Sequence, residues 1–217
     1  MKKNQLLMAM ALVLSSFYAC TENNTTTPID TTNNGTFKVY TLGNITSVQN
    51  LIADTIIGTS AQGQPVGTGH FTFFSLKNRA IVPLADSATN NWDIAFRGTT
   101  ILTNAGTSGP GMGGAYVHVG IFADVIAFNA DSTIRTDAAP VYAIKTGSNK
   151  GWYVYDGPNN LITPIPGRVL MIRGADGSQY KLEINNYYKG GVTPLATATD
   201  AIKLSTQRYY HLRYSAL

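Results

Sequence analysis

The sequence predicts an all-β protein of short, mainly antiparallel strands, and three observations predict it. Beyond residue 36 the apolar residues recur with a period of two in run after run, the pattern of strands buried on one face. The runs are cut into short lengths by 21 Gly and 9 Pro in 217 residues, which punctuate turns. Most runs are also rich in Thr, Val, Ile and aromatic residues, which fit a pleated, half-buried surface.

The chain opens with Lys2 and Lys3, an apolar run from Leu6 to Leu14, and Ser15-Ser16-Phe17-Tyr18-Ala19-Cys20. This order is that of a secretory signal peptide, assigned to residues 1–19, with an apolar stretch too short for a permanent membrane span. Cys20 is the sole cysteine and stands where a lipoprotein signal peptidase cuts, so it is the expected site of thioether lipidation with palmitate-type chains. The alternative is an ordinary signal peptide cleaved nearby, leaving one free thiol. Residues 20–36 are Thr, Asn, Pro and Asp with almost nothing apolar, so burial cannot offset the entropy of ordering them, and they are expected to form a flexible tether. Residues 37–217 form the expected globular domain.

In that domain, Phe37–Leu42 and His70–Ser75 give the first alternating runs. In Trp92–Arg97 the residues Trp92, Ile94 and Phe96 are expected to share a face. Tyr116–Phe122 places Val117, Val119 and Ile121 on one side and Tyr116, His118 and Gly120 on the other. Arg168–Arg173 and Tyr180–Ile184 flank a polar break containing Asp176-Gly177, a hairpin signature. Tyr209–Tyr214 is a last strand, and only Thr46–Ile52 is ambiguous between helix and strand.

Removing residues 1–19 leaves 14 basic against 12 acidic side chains, a net charge of +2, which provides no electrostatic footprint for nucleic acid. Gly109-Pro110-Gly111-Met112-Gly113-Gly114 satisfies G-x-G-x-x-G, but it runs into the β-branched alternation Ala115–Val119 instead of a helix. A dinucleotide site lacks the helix N-terminus it requires there, and a wide glycine-rich turn is expected. Gly106-Thr107-Ser108-Gly109 lacks the residue a nucleophile elbow needs between serine and the second glycine. His70, His118 and His211 are too widely spaced for a zinc motif, and no nucleophile, base and orienter set stands out, so no enzyme is expected. Met171 alternates with Val169 and is assigned to the core. Met112, a thioether in a glycine loop, is the soft donor left without a packing role, and a thioether can ligate haem iron.

Trp92–Arg97, Thr103–Gly111 and Gly113-Gly114-Ala115 together resemble the hallmark stretch of the HmuY-like haem-binding lipoproteins. Trp152-Tyr153-Val154-Tyr155, Pro164–Arg168, Ala175-Asp176-Gly177, Lys181–Ile184, Tyr187–Gly190 and Arg208–Tyr214 continue the resemblance in the same order over nearly all of the domain. The resemblance implies a sandwich of two stacked sheets and a surface-exposed outer-membrane lipoprotein that captures haem for iron acquisition beside an outer-membrane haem receptor. It also implies a pair of His or Met ligands on the iron, in segments near 122–135 and 152–166. Neither segment contains His or Met; Asn129, Asn159 and Asn160 stand there, with Tyr142, Tyr153 and Tyr155 nearby. A haem site in this chain therefore needs other ligands, of which Met112 and His118 are the candidates, or an apolar groove that holds the porphyrin without strong iron bonds. The competing expectation is a lipoprotein of the same fold that binds a glycan or a partner protein and no haem, touching the membrane only through its lipid.

Overall fold

The computed structural model describes residues 35–54, 56–62 and 65–217. The expected signal peptide, Cys20 and all but the last two residues of the tether lie outside the described residues. Among the described residues there are fourteen strands in chain order: β1 (Lys38–Leu42), β2 (Ile45–Ile52), β3 (Gly58–Thr59), β4 (Pro65–Val66), β5 (Thr72–Ser75), β6 (Ala80–Val82) and β7 (Ile94–Arg97) lead, then β8 (Thr100–Thr103) and β9 (Gly114–Val119). After these come β10 (Tyr153–Asp156), β11 (Leu161–Pro164), β12 (Arg168–Arg173), β13 (Gln179–Tyr188), a short helix α1 (Asp200–Thr206) and β14 (Gln207–Ala216).

A six-stranded antiparallel sheet has the order β1-β2-β14-β13-β12-β9, and a four-stranded one the order β6-β5-β7-β8. Two hairpins, β3–β4 and β10–β11, stand apart from them. The main core lies between the two large sheets: Phe74, Ile94, Phe96 and Ile101 from one meet Val48, Leu170, Ile172, Leu182 and Leu212 from the other. Trp152 and Leu161 of the β10–β11 hairpin region fill the same core, with Trp152 against Tyr187 and Tyr210 at centroid distances of 5.5 and 5.2 Å. The expected all-β architecture is the observed one, and Thr46–Ile52 resolves as strand because it pairs on both sides, with β1 and with β14.

Two local expectations need correction, and one element has no expectation behind it. Ile94 and Phe96 do face the main core, but Trp92 leaves it and packs with Phe73, Val82, Ala95 and Leu102 on the other side of the four-stranded sheet. The reason is that β7 begins only at Ile94, so Trp92 lies outside the alternation, with its indole N–H donated to Ser87 O at 2.8 Å. The run Tyr116–Phe122 breaks after Val119, where Gly120 N–H bonds Gly167 O and the chain enters a 3₁₀ turn at Phe122–Asp124; Ile121 is consequently 66% exposed. Helix α1 has no counterpart in the strand alternation, and it is started by the Thr199 hydroxyl, which accepts from Ile202 N–H as an N-cap.

The outer face of the six-stranded sheet is also covered. Residues 122–134 fold across it, so Phe122 and Val125 are buried with Tyr116, Val169 and Met171, and Phe128 and Ile134 pack alongside. Lys181, on the same face, holds this cover down by donating from Nζ to Phe122 O and Val125 O at 2.9 and 2.7 Å. Beside it, Arg213 pairs with Glu183 at 2.7 Å and stacks 4.5 Å from the Phe122 centroid.

Candidate functional site

The glycine-rich stretch from Gly106 to Gly114 is built by three buried polar side chains. Asn104 donates from Nδ2 to Thr89 O and Trp92 O, and its Oδ1 accepts from Gly111 N–H at 3.0 Å. The Asp137 carboxylate accepts from Thr103 N–H and Ala143 N–H at 2.9 and 2.8 Å. Asp93 accepts from Leu76 N–H and Ala175 N–H at 2.7 and 2.9 Å, tying the four-stranded sheet to the β12–β13 turn. These bonds satisfy backbone donors that burial has removed from water. Gly106 has φ +61°, and a Cβ there would run into Asp137 O, so only glycine lets the two segments touch. The turn leads straight into β9, as the strand-like sequence after it indicates.

This loop lines an open cleft of about 710 Å³ together with Phe71, Phe73, Leu102, Ala139 and Tyr142. Its lining carries no charged side chain. Arg97 stacks 4.4 Å from the centroid of Phe71, which puts one cation beside a wall residue. Its volume lies in the range of small-molecule sites, roughly 300–1,000 Å³. A second cleft, of about 630 Å³, is polar and gathers Tyr155, Asn160, Asp200, Gln207 and Arg208. A third, of about 330 Å³, lies at the edge of β9.

Met112 and His118 are not brought together. Met112 is 59% exposed; its backbone N–H bonds Ala175 O, and its terminal methyl lies toward Gly177 in the β12–β13 turn. His118 pairs with Val169 near the opposite end of β9, and its imidazole lies over Gly120. Six residues at roughly 3.3 Å each in extended chain allow up to about 20 Å between them. His70 is exposed. His211 is buried, and its Nε2 lies 3.1 Å from Asn50 Oδ1, which also accepts from Gly190 N–H. Burial pulls the His211 pKa down to about 4, so it is a neutral structural donor.

The segments where the resemblance places paired ligands are likewise spent on packing. The 122–135 segment covers the outer sheet face, with Asn129 N–H bonded to the Tyr116 hydroxyl, and Trp152, Tyr153 and Leu161 enter the main core. The core phenols are donors as well: Tyr210 bonds Gly98 O and Tyr214 bonds Leu76 O, and burial pushes Tyr214 up to about 12 and Tyr210 well above its ordinary value. Tyr142 is the sole iron-ligating side chain of the kinds found in haem proteins to line the apolar cleft. The residues present thus supply apolar lining and a single ligating phenol, and not a clamp with two axial ligands. The cleft walls were missed in the sequence because Phe71 and Tyr142 are 71 positions apart; the small residues of the Gly106–Pro110 loop were the available signal.

Among the described residues no group of three His, Cys, Asp or Glu side chains could hold a metal ion. No described helix is long and apolar enough to cross a membrane. The described residues form an all-β protein of two packed sheets with open clefts. No family model matches the chain, and no curated protein does. Solved structures similar to it include the following two. One is a candidate HmuY-like heme-binding protein from Bacteroides vulgatus ATCC 8482, 14% identical with a TM-score of 0.47, covering 79% of this chain and 91% of that one. The other is a candidate lipoprotein from Bacteroides fragilis NCTC 9343, 13% identical with a TM-score of 0.48, covering 82% of this chain and 93% of that one.

Proposed function

We propose that this protein captures a flat, largely apolar ligand of porphyrin type, with haem as the physiological candidate, in the cleft walled by Phe71, Phe73, Leu102 and Tyr142. One observation carries the reading: aromatic side chains and a hydrogen-bonded glycine-rich loop line the same cleft, with no charge in its lining. Apolar surface left open at this scale is stabilised by covering it with a ligand. Arg97, stacked on Phe71, offers a partner for a ligand carboxylate at the margin. The resemblance of the sequence to HmuY-like lipoproteins points to the same ligand class. In this reading the protein is anchored through lipidated Cys20 at the outer membrane, on the cell surface, and passes its ligand to an outer-membrane haem receptor. It turns nothing over.

Haemin titrated into the purified chain is expected to give a saturable, sharpened Soret band, weakened at least tenfold in affinity by Phe71→Ala combined with Tyr142→Ala. Iron-free protoporphyrin is expected to bind within a few-fold of haemin, because the walls and not the metal hold the ring. A linear, unsaturable absorbance rise that the double variant leaves unchanged would sink the proposal.

A second reading has its own observation. The cleft of about 630 Å³ places half-exposed Tyr155, bonded to Asn160 Oδ1 at 3.3 Å, beside Asp200, Gln207 and Arg208. An aromatic face with amide, carboxylate and guanidinium groups around it suits a glycan. Glycan-array binding abolished by Tyr155→Ala, with no response to haemin, would favour this reading.

A further inference from the structure

The six-stranded sheet leaves one strand edge open beneath a group of cations. β9 is an outermost strand. Ala115 turns both its backbone groups away from β12 and exchanges two hydrogen bonds with Arg135, of 2.8 and 3.0 Å. In an antiparallel ladder the outward-facing residues alternate, so Val117 and Val119 also turn N–H and C=O toward the open edge. The pairing with the 131–135 segment stops at the Ala115–Arg135 bridge: Thr133, which would sit opposite Val117 if the ladder continued, makes no bridge to it. The cleft of about 330 Å³ opens where the two segments part, with Tyr116 and Val117 on one wall and Ser132 and Thr133 on the other.

Arg135, Lys145 and Lys150 line the same cleft, and no carboxylate does. All three are exposed, and none has a side-chain hydrogen bond or an ion pair among the described residues. Val119, 71% exposed, and its neighbour Ile121 extend the edge with uncovered apolar surface.

We propose that the open edge of β9 at Val117–Val119 takes an extended acidic peptide segment of a partner protein by strand addition. The partner's backbone continues the ladder that Arg135 begins, and its Asp or Glu side chains pair with Arg135, Lys145 and Lys150. Backbone hydrogen bonds would supply affinity in any sequence, and the cations would select the acidic one. This site is separate from the apolar cleft and does not depend on its ligand.

The test is fluorescence anisotropy of a labelled octapeptide of four Val-Glu repeats against the full chain. Saturable binding is expected, with at least a tenfold loss for a Val-Lys peptide of equal length. At least a tenfold loss is also expected for a Val-Glu peptide N-methylated at every residue, which keeps every side-chain charge but has no backbone N–H to donate to either side. The Lys145→Glu, Lys150→Glu double variant, altered only at exposed positions, is expected to lose the peptide at least tenfold with an unchanged far-UV circular dichroism spectrum. Equal binding of the N-methylated peptide, or indifference to the double variant, overturns strand addition. Dextran sulfate binding more tightly than the peptide, and released by the same variant, would overturn it in favour of an acidic polysaccharide.

Discussion

The ammonium group of Lys181 stands 4.5 Å from the centroid of the Phe122 ring and donates a 2.9 Å hydrogen bond to the carbonyl of the same residue. With its second bond, to Val125 O, this lysine fastens the 122–125 turn onto the outer sheet face while almost wholly buried. Burial, followed by the nearby Arg213 charge, holds its pKa below the usual lysine value, and the Asp124 charge, the two carbonyls and the Phe122 ring act in the other direction to keep the cation there.

Lys181→Met keeps the aliphatic bulk and removes the donor, leaving two carbonyls of the cover without partners. A loss of about 2 kcal/mol is expected, within the range for unsatisfied buried polar groups, measured as a shift in the urea midpoint at unchanged slope. A midpoint within error of the parent would show that the cover is held by Phe122 and Val125 packing alone.

Asn104 serves three backbone groups at once, so Asn104→Ala strips Gly111 N–H, Thr89 O and Trp92 O together. The expected cost is about 3 kcal/mol, at roughly 1 kcal/mol per lost bond. Because the same bonds immobilise a wall of the apolar cleft, haemin affinity should fall in parallel. Titrations at a temperature where the variant remains folded separate the two effects.

His211 gives the stability a defined pH dependence. Its folded pKa of about 4 lies below the ordinary 6.5, so the unfolded chain binds the proton first as pH falls. The contribution is complete above pH 6.5 and is lost between there and pH 4, about 3 kcal/mol over the window. Asn50 Oδ1 can only accept, which assigns the Nε2–H tautomer. His211→Gln keeps a donor but does not titrate, so the difference between its stability–pH curve and the parent's isolates this group; parallel curves would refute the assignment.

Met112→Ala and His118→Ala are expected to leave the Soret position of bound haemin unchanged, because neither residue lines the apolar cleft. Met112→Ala should also cost less than about 0.5 kcal/mol, as surface substitutions do. A Soret shift in Met112→Ala would move the ligand to the glycine-rich turn, and one in His118→Ala to β9, in either case away from Tyr142.

Much of the fold was legible one strand at a time. The runs at Phe37, His70, Arg168, Tyr180 and Tyr209 each became strands because side-chain alternation is a local property of the backbone, readable without knowing any partner. The Asp176-Gly177 turn was legible for a similar reason: Gly177 sits at φ +88°, where glycine is nearly unopposed. Trp92 was misplaced and α1 missed because each depends on where a neighbouring element ends, which alternation does not encode.

The sequence by itself determined the class of architecture and, through the resemblance, the direction in which to look for a ligand. Only the tertiary structure decided which residues meet. It separated Met112 from His118, spent Asn104, Asp93 and Asp137 on fastening loops, and assembled a cleft from Phe71 and Tyr142. Strand formation follows from period and propensity within a few residues. A binding surface is made by the register and stacking of segments far apart in the chain, whose contacts exist only once the sheets have packed.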